Sequence, residues 1–204
     1  GQNDSFDSTA LSNLDALFDD ASERGVFVWL NCAYSPSWAR LSFPSLPGGL
    51  PAGADHQPPD RMPEHGYPDF ANFIWHIVDR YETSHPGTLA AIGIWNEPNI
   101  SQFWMQPPGT GTQPNVNYSP DAGRYAKLLI GAYDAAKNGI VYGRSNRTAY
   151  PDMIVTTGGT APASGSGNGD NYLPATFASE LFDEGAGTSF DHFDPVSYTH
   201  LTLP

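Results

Sequence analysis

The sequence has 204 residues, with 9 basic and 22 acidic side chains and a formal net charge of -13. This balance argues against nucleic acid and anionic membrane surfaces as partners, because both are bound through clustered lysines and arginines. Aromatic residues make up 13% of the chain and charged residues only 15%, so the sequence has ample material for a hydrophobic core. A single cysteine, Cys32, excludes an internal disulfide, and no apolar run approaches the roughly 20 residues of a membrane-spanning helix.

The first half of the chain contains two predicted units of a helix followed by a strand. Apolar residues recur at steps of three and four over residues 9–24, and Gly25 follows, which predicts a helix with one buried stripe. The unbroken apolar run at 26–30 predicts a strand that is covered on both faces. Pro68 opens a second helix that reaches Tyr81, and residues 89–95 form the strand after it.

Two more units are predicted in the second half. Ser119 as the N-cap and Pro120 at the first helical position predict a third helix that extends to Ala136, before a strand at 153–157. A fourth helix near 172–183 precedes a last strand near 192–198. Regular alternation of helices and strands indicates an α/β fold with a parallel sheet, either doubly wound or closed into a barrel.

The lengths of the loops favour the barrel. The segments that follow the strands, at 33–67, 97–118 and 158–171, are long, whereas those that follow the helices are mostly short. Elaborate loops at the carboxyl ends of the strands are typical of (β/α)8 barrels, which need about 250 residues. We therefore expect a partial (β/α)8 TIM barrel that consists of central repeats and is truncated at both ends.

The most specific segment is Ile-Trp-Asn-Glu-Pro-Asn at 94–99, where an apolar strand ends in a carboxylate. Tyr-Ser-Pro-Ser-Trp-Ala follows the earlier strand at 34–39, and Phe-Trp lies at 103–104. With the helix around Tyr125 and the Thr-Gly-Gly turn at 157–159, these segments resemble glycoside hydrolase clan A. This clan comprises retaining glycosidases on (β/α)8 barrels, and the nearest families are 39 and 5. The resemblance covers nearly the whole chain.

The resemblance implies a role for the polar and aromatic residues of these segments. Glu97 is expected to be the general acid/base, with a raised pKa, and Asn96 to hydrogen-bond the sugar 2-hydroxyl. The other expected substrate-binding residues are Tyr34, Trp38, Asn99 and Trp104. All of these residues except Asn99 have a structural alternative: a salt bridge or helix cap for Glu97, a turn cap for Asn96, and packed anchors for the aromatic residues. Trp95 and Phe103 are expected in the core.

The nucleophile of such an enzyme is a second glutamate at the end of strand seven, and the sequence reaches only strand six. Glu64, Glu180 and Glu184 fall in a loop or on a helix, so we expect the chain alone to be inactive and prone to aggregate through open strand edges. Residues 196–204 match the translation of a transposase adapter used in DNA library preparation. We expect a catalytic domain over 1–194 and a non-native tail over 195–204.

The function implied by the resemblance is hydrolysis of O-glycosidic, β-linked bonds in a poly- or oligosaccharide, by a secreted enzyme that needs no cofactor. The six histidines lack the spacing of metal ligands, so no metal site is expected. One alternative is a non-catalytic carbohydrate-binding barrel. Another is an unrelated (β/α)8 enzyme, such as a lyase or aldolase, which would show a lysine at a strand end or a set of metal ligands.

Overall fold

The computed structural model describes residues 6–36, 38–39, 58–59, 61–100, 103–104, 120–162 and 173–191. Within these residues, helices and strands alternate along the chain. The helices are α1 (Ser8–Glu23), α2 (Pro68–Ser84), α3 (Ala122–Tyr133) and α4 (Pro174–Asp183), and the strands are β1 (Val28–Cys32), β2 (Leu89–Ile94) and β3 (Ile154–Thr157). Short 3-10 helices at Pro63–His65 and Ala186–Thr188 precede α2 and follow α4.

The three strands form one parallel sheet in the order β1-β2-β3. Leu30 pairs with Ile92, and Ile92 pairs with Val155, so the alternate residues of the three strands are in register. Each new strand is therefore added beside the preceding one, in the same direction across the sheet. Because crossovers between parallel strands are right-handed, this order places every crossover helix on one face. The predicted α/β fold with a parallel sheet is confirmed for these strands.

The hydrophobic core lies between this face and the helices. It joins the buried stripes of α1, α2, α3 and α4 to the alternate strand residues Leu30, Cys32, Ile92, Ile94 and Val155. The opposite face of the sheet carries Trp29, Asn31, Ala91, Gly93, Ile154 and Thr156, and the side chain of Trp29 is 50% exposed. Within the described residues, helices therefore cover the first strand on one face only.

The first strand also begins later than predicted, at Val28 rather than at residue 26. The reason lies in the turn after α1, where the Val26 N–H donates to the Ala21 carbonyl at 2.9 Å instead of joining the sheet. Phe27 is consequently 74% exposed. An apolar run shows that a strand is near, but the hydrogen bonds of the preceding helix end decide where pairing begins.

The third helix starts at a different cap from the one predicted. Its N-cap is Asp121, whose carboxylate accepts a hydrogen bond from the Arg124 N–H at 2.9 Å, and Pro120 precedes the cap. The predicted cap, Ser119, lies outside the described residues. After Tyr133 the helix continues as a π-helical turn over Asp134–Asn138 and stops at Gly139, which has a φ of 65°. The starts of the other helices are close to prediction, and α2 begins at Pro68 as expected.

The predicted last strand, at 192–198, lies outside the described residues, as does the tail at 195–204. The residue just before that strand already contacts β3. The Asp191 N–H donates to the Val155 carbonyl, and its carboxylate accepts from the Val155 N–H, both at 2.8 Å. Lys137 binds the same carboxylate at 2.8 Å. The free side of β3 is therefore partly paired at this point.

Helices α1 and α2 are joined by a polar contact beside an aromatic stack. Arg80 donates to the Asp15 carboxylate through Nε at 2.7 Å, and the Tyr81 hydroxyl donates to it at 3.0 Å. The Tyr81 ring stacks on Phe18 with 3.7 Å between the ring centroids. The hydrogen bond from Arg80 is the main cause that lowers the pKa of Asp15 below its ordinary value of 3.8.

Asp15→Asn is expected to lower the free energy of unfolding by about 1 kcal/mol at neutral pH, because it removes the charge from a two-pronged contact with arginine. Since the folded-state pKa of Asp15 is depressed, its contribution is present above the unfolded value of 3.8 and is lost as the pH falls through the folded value. Urea unfolding at pH values on both sides of that range measures the difference. Asp20→Asn, at an exposed pair with Arg24, is the control and should change stability by only about 0.3 kcal/mol.

Candidate active site

The carboxyl ends of β1 and β2 bring together three residues that the sequence singled out. Tyr34 follows β1, and Asn96 and Glu97 follow β2. The side-chain amide of Asn96 donates to the Tyr34 hydroxyl at 3.3 Å, although the two residues lie 62 positions apart in the chain. Asn96 and Glu97 are half-buried, and Tyr34 is 37% exposed. A carboxyl group, an amide and a phenol therefore share one edge of the sheet.

The backbone at this edge is strained. Tyr34, Trp95 and Glu97 have φ values of 69°, 74° and 45°. Residues other than glycine rarely adopt a positive φ. Those that do are concentrated at functional sites, where surrounding contacts hold them. At Trp95 the surrounding contacts are visible. The indole is fully buried, and its N–H donates to the Phe103 carbonyl at 3.0 Å. The backbone N–H of Trp95 continues the sheet by donating to the Cys32 carbonyl. The structural role predicted for Trp95 is confirmed.

The segment after β2 is bonded to the segment after β3. The Glu97 N–H donates to the Gly159 carbonyl at 2.8 Å. Two residues further on, the Asn99 amide donates to the Ala161 carbonyl at 2.9 Å and accepts from the Ala161 N–H at 2.8 Å. These bonds extend the pairing of the two strands beyond their ends, so the turn is tied to the segment after β3 at Glu97 and again at Asn99.

Two of the residues expected to bind substrate lie behind this edge instead of on it. Asn99 is fully buried, and both ends of its amide are used by Ala161. Trp104 is also fully buried, and its indole N–H donates to the Asp121 carbonyl at 2.9 Å. Neither side chain offers a surface to a ligand in this structure. Their contacts support the loop that carries Glu97. For Trp104, this placement agrees with the structural alternative of a packed anchor.

Trp38 has the opposite placement. It lies in the loop after β1, and 65% of its surface is exposed. Tyr34 lies between that loop and the core, with its ring 5.8 Å from Trp95 and 5.9 Å from the half-buried Phe103. Trp38 and Tyr34 are therefore the two predicted substrate-binding aromatic residues that present a face to solvent.

Burial controls the electrostatics of Glu97. Removal of its carboxyl from water raises the pKa of Glu97 above the ordinary 4.5. Within the described part of the chain, Glu97 makes no ion pair. The other five glutamates of the sequence all lie on helices or at a helix end, namely Glu23, Glu64, Glu82, Glu180 and Glu184. Glu97 is therefore the single glutamate at the carboxyl ends of the described strands.

A cavity of about 780 Å³ lies on the other side of Tyr34, between β1, α1 and α2. Leu30, Cys32 and Phe70 line its apolar part, and an ion pair between Arg61 and Asp69, 3.4 Å apart, lies at its rim. Glu97 is not among the lining residues. The cavity therefore adjoins Tyr34 and Trp38 but not Glu97.

Sequence reasoning missed the support that α3 gives to this edge. The Tyr125 hydroxyl donates to the Ile94 carbonyl at 2.7 Å and accepts from the Gly158 N–H at 2.9 Å. The period of the helix predicted only that Tyr125 is buried. The glycine pair at 158–159 was a usable signal, since a Cβ on Gly158 would lie 2.5 Å from the Trp95 carbonyl oxygen.

Comparison with protein-family models and with curated proteins finds no match for this chain. In the described residues, histidine, cysteine, aspartate and glutamate side chains do not gather in groups of three that could hold a metal ion. None of the described helices combines the length and the hydrophobicity that crossing a membrane requires.

Proposed function

We propose that this chain is part of a (β/α)8 barrel that acts as a retaining glycoside hydrolase, with Glu97 as the general acid/base. The observation that carries the proposal is the state of Glu97: a half-buried carboxyl that forms no ion pair with the described residues, on a strained turn at the carboxyl end of a parallel strand. Active sites of (β/α)8 barrels are built at this end of the strands. A carboxyl with a raised pKa remains protonated at higher pH, so it can act as an acid there.

The described strands fit a segment of a barrel. Their order is β1-β2-β3 and the core lies on one face, as expected for successive repeats of a (β/α)8 barrel. The other face carries Gly93, where a Cβ would lie 2.8 Å from the Asn31 side chain. Small residues beside large ones are what the narrow interior of a closed barrel accommodates. We infer that this face lines the interior of such a barrel.

The neighbours of Glu97 suit the cleavage of a glycosidic bond. In a retaining mechanism one carboxylic acid protonates the leaving oxygen, while a second carboxylate about 5 to 5.5 Å away attacks the anomeric carbon. The proton at the Glu97 carboxyl would serve the first step, and the attacking carboxylate would come from another strand of the barrel. Asn96 is neutral, so it can hydrogen-bond a sugar hydroxyl without lowering the pKa of Glu97. The exposed face of Trp38 can stack on the C–H face of a sugar ring.

The aldolase or lyase alternative has less support. Its signature would be a lysine at a strand end, and the two lysines of the sequence, Lys127 and Lys137, lie on α3 and on the π-helical turn after it. The carbohydrate-binding alternative shares the aromatic residues of this edge but does not need a carboxyl with a raised pKa. Activity therefore separates it from the hydrolase.

The experiment is to express the complete reading frame that carries this sequence and to assay it on a panel of aryl β-glycosides. We expect turnover with retention of configuration at the anomeric carbon. NMR of the first sugar released measures that configuration. The basic limb of kcat/KM should lie above pH 4.5, because only the protonated form of Glu97 donates and burial raises its pKa. Binding of oligosaccharides without turnover would favour the non-catalytic barrel, and inversion at the anomeric carbon would rule out the retaining mechanism.

A further inference from the structure

Tyr125 is a buried residue with an unusual pair of partners. It lies on α3, it is fully buried, and its single hydroxyl bonds two different strand ends. The hydroxyl donates to the carbonyl of Ile94, the last residue of β2, and accepts from the N–H of Gly158, the first residue after β3. Backbone groups at strand ends have lost their partners in the ladder, so a buried hydroxyl that satisfies both of them links the two strands.

The ring of Tyr125 is held by its aromatic neighbours, which determine where the hydroxyl lies. The Trp104 ring packs edge to face against it with 5.4 Å between the ring centroids, and the centroid of the Phe177 ring lies 5.7 Å from that of Tyr125. Trp104 in turn donates to the Asp121 carbonyl at the start of α3. Since α3, α4 and the loop after β2 all contribute to this packing, the hydroxyl has little freedom to move.

Both partners of the hydroxyl are connected to Glu97. Ile94 lies three residues before it, and Gly158 directly precedes Gly159, whose carbonyl accepts the Glu97 N–H at 2.8 Å. The two segments also approach closely, because a Cβ on Gly158 would meet the carbonyl oxygens of Trp95 and Ile94 at 2.5 and 2.8 Å. A change in the spacing of the two strand ends would therefore move the turn on which Glu97 sits.

We propose that Tyr125 is a positioning residue, whose hydroxyl sets the spacing of the β2 and β3 ends and thereby holds Glu97 in its half-buried place. The catalytic meaning of this role rests on the proposed function. Without the hydroxyl, the Ile94 carbonyl and the Gly158 N–H lose the oxygen that bridges them, so they must close on each other or admit water. The φ of 45° at Glu97 is then free to relax, and its carboxyl becomes better solvated.

The test is Tyr125→Phe, read first by NMR titration of the Glu97 carboxyl, which requires no catalytic activity. We expect the titration midpoint of Glu97 to fall toward its ordinary value, as water reaches the carboxyl. In the complete enzyme, kcat on a poor leaving group should fall about tenfold with little change in KM, because a misplaced proton donor costs rate and not binding. An unchanged midpoint in a folded variant would overturn the proposal, whether or not the protein is a glycosidase.

Tyr81→Phe is the matched control. It also removes the hydroxyl of a fully buried tyrosine, but its partner is Asp15 on α1 and not a strand end. It should lower stability and leave the Glu97 midpoint where it was. If Tyr125→Phe fails to fold, amide hydrogen exchange in the unaltered protein decides instead. The Gly158 and Glu97 amides should open at the same rate if the hydroxyl couples them, and clearly different rates would contradict the proposal.

Discussion

Gly131→Ala is expected to destabilise the protein by about 3 kcal/mol, although alanine is the better helix former. Gly131 lies on α3 and faces Gly66, in the segment just before α2. A Cβ at position 131 would overlap the carbonyl oxygen of Gly66 and would lie 2.9 Å from its Cα. These are backbone atoms, so the clash cannot be relieved by a side-chain rotation. The segment at 66 or the whole of α3 would have to move.

Gly123→Ala, in the first turn of the same helix, is the matched control. Its Cβ would meet the carboxyl end of the Glu184 side chain at 3.1 Å, which can rotate away, and Asp121 Oδ1 at an ordinary contact distance of 3.4 Å. The control should be neutral or stabilising by about 0.5 kcal/mol, because alanine loses less backbone entropy than glycine in a helix. Chemical unfolding of both variants measures the contrast. Equal stabilities would mean that α3 and the segment before α2 do not pack as closely as described.

Glu97→Gln is expected to lower kcat on glycosides with poor leaving groups by about 10²–10⁴-fold in the complete enzyme, the usual contribution of a general acid. Activated aryl glycosides need little protonation of the leaving oxygen, so their cleavage should be less affected. The fold should survive, since glutamine has nearly the same shape. Burial also raises the pKa of Glu97, so its ionised form opposes folding as the pH rises through the folded value, and a neutral amide removes that cost.

Glu82→Gln provides the control for this variant. Glu82 is half-buried on α2, and burial raises its pKa as it does for Glu97, but it lies at the amino end of β2, on the opposite edge of the sheet. A raised carboxyl pKa at that position should have no effect on catalysis, so the activity should be unchanged. If the two variants lost the same activity, or if Glu97→Gln slowed activated and poor substrates equally, the acid/base role would have to be abandoned.

Local patterns in the sequence located the helices and strands well, because the repeat of apolar residues follows directly from helix and strand geometry. The errors occur at ends. The start of β1 depends on a hydrogen bond from Val26 back to α1, and the start of α3 depends on whether Ser119 or Asp121 caps the first turn. Several residues in each stretch have suitable chemistry, so local preference alone does not choose between them.

The candidate site shows the same division. The sequence by itself determined that Glu97 and Asn96 follow a buried strand and that Tyr34 follows its neighbour, since the carboxyl ends of parallel strands share one edge. Only the tertiary structure decided that Asn99 and Trp104 are buried supports, that Trp38 is exposed, and that Tyr125 joins the two strand ends. The physical reason is that burial and side-chain hydrogen bonds join residues some 30 to 60 positions apart, and no local pattern carries that information.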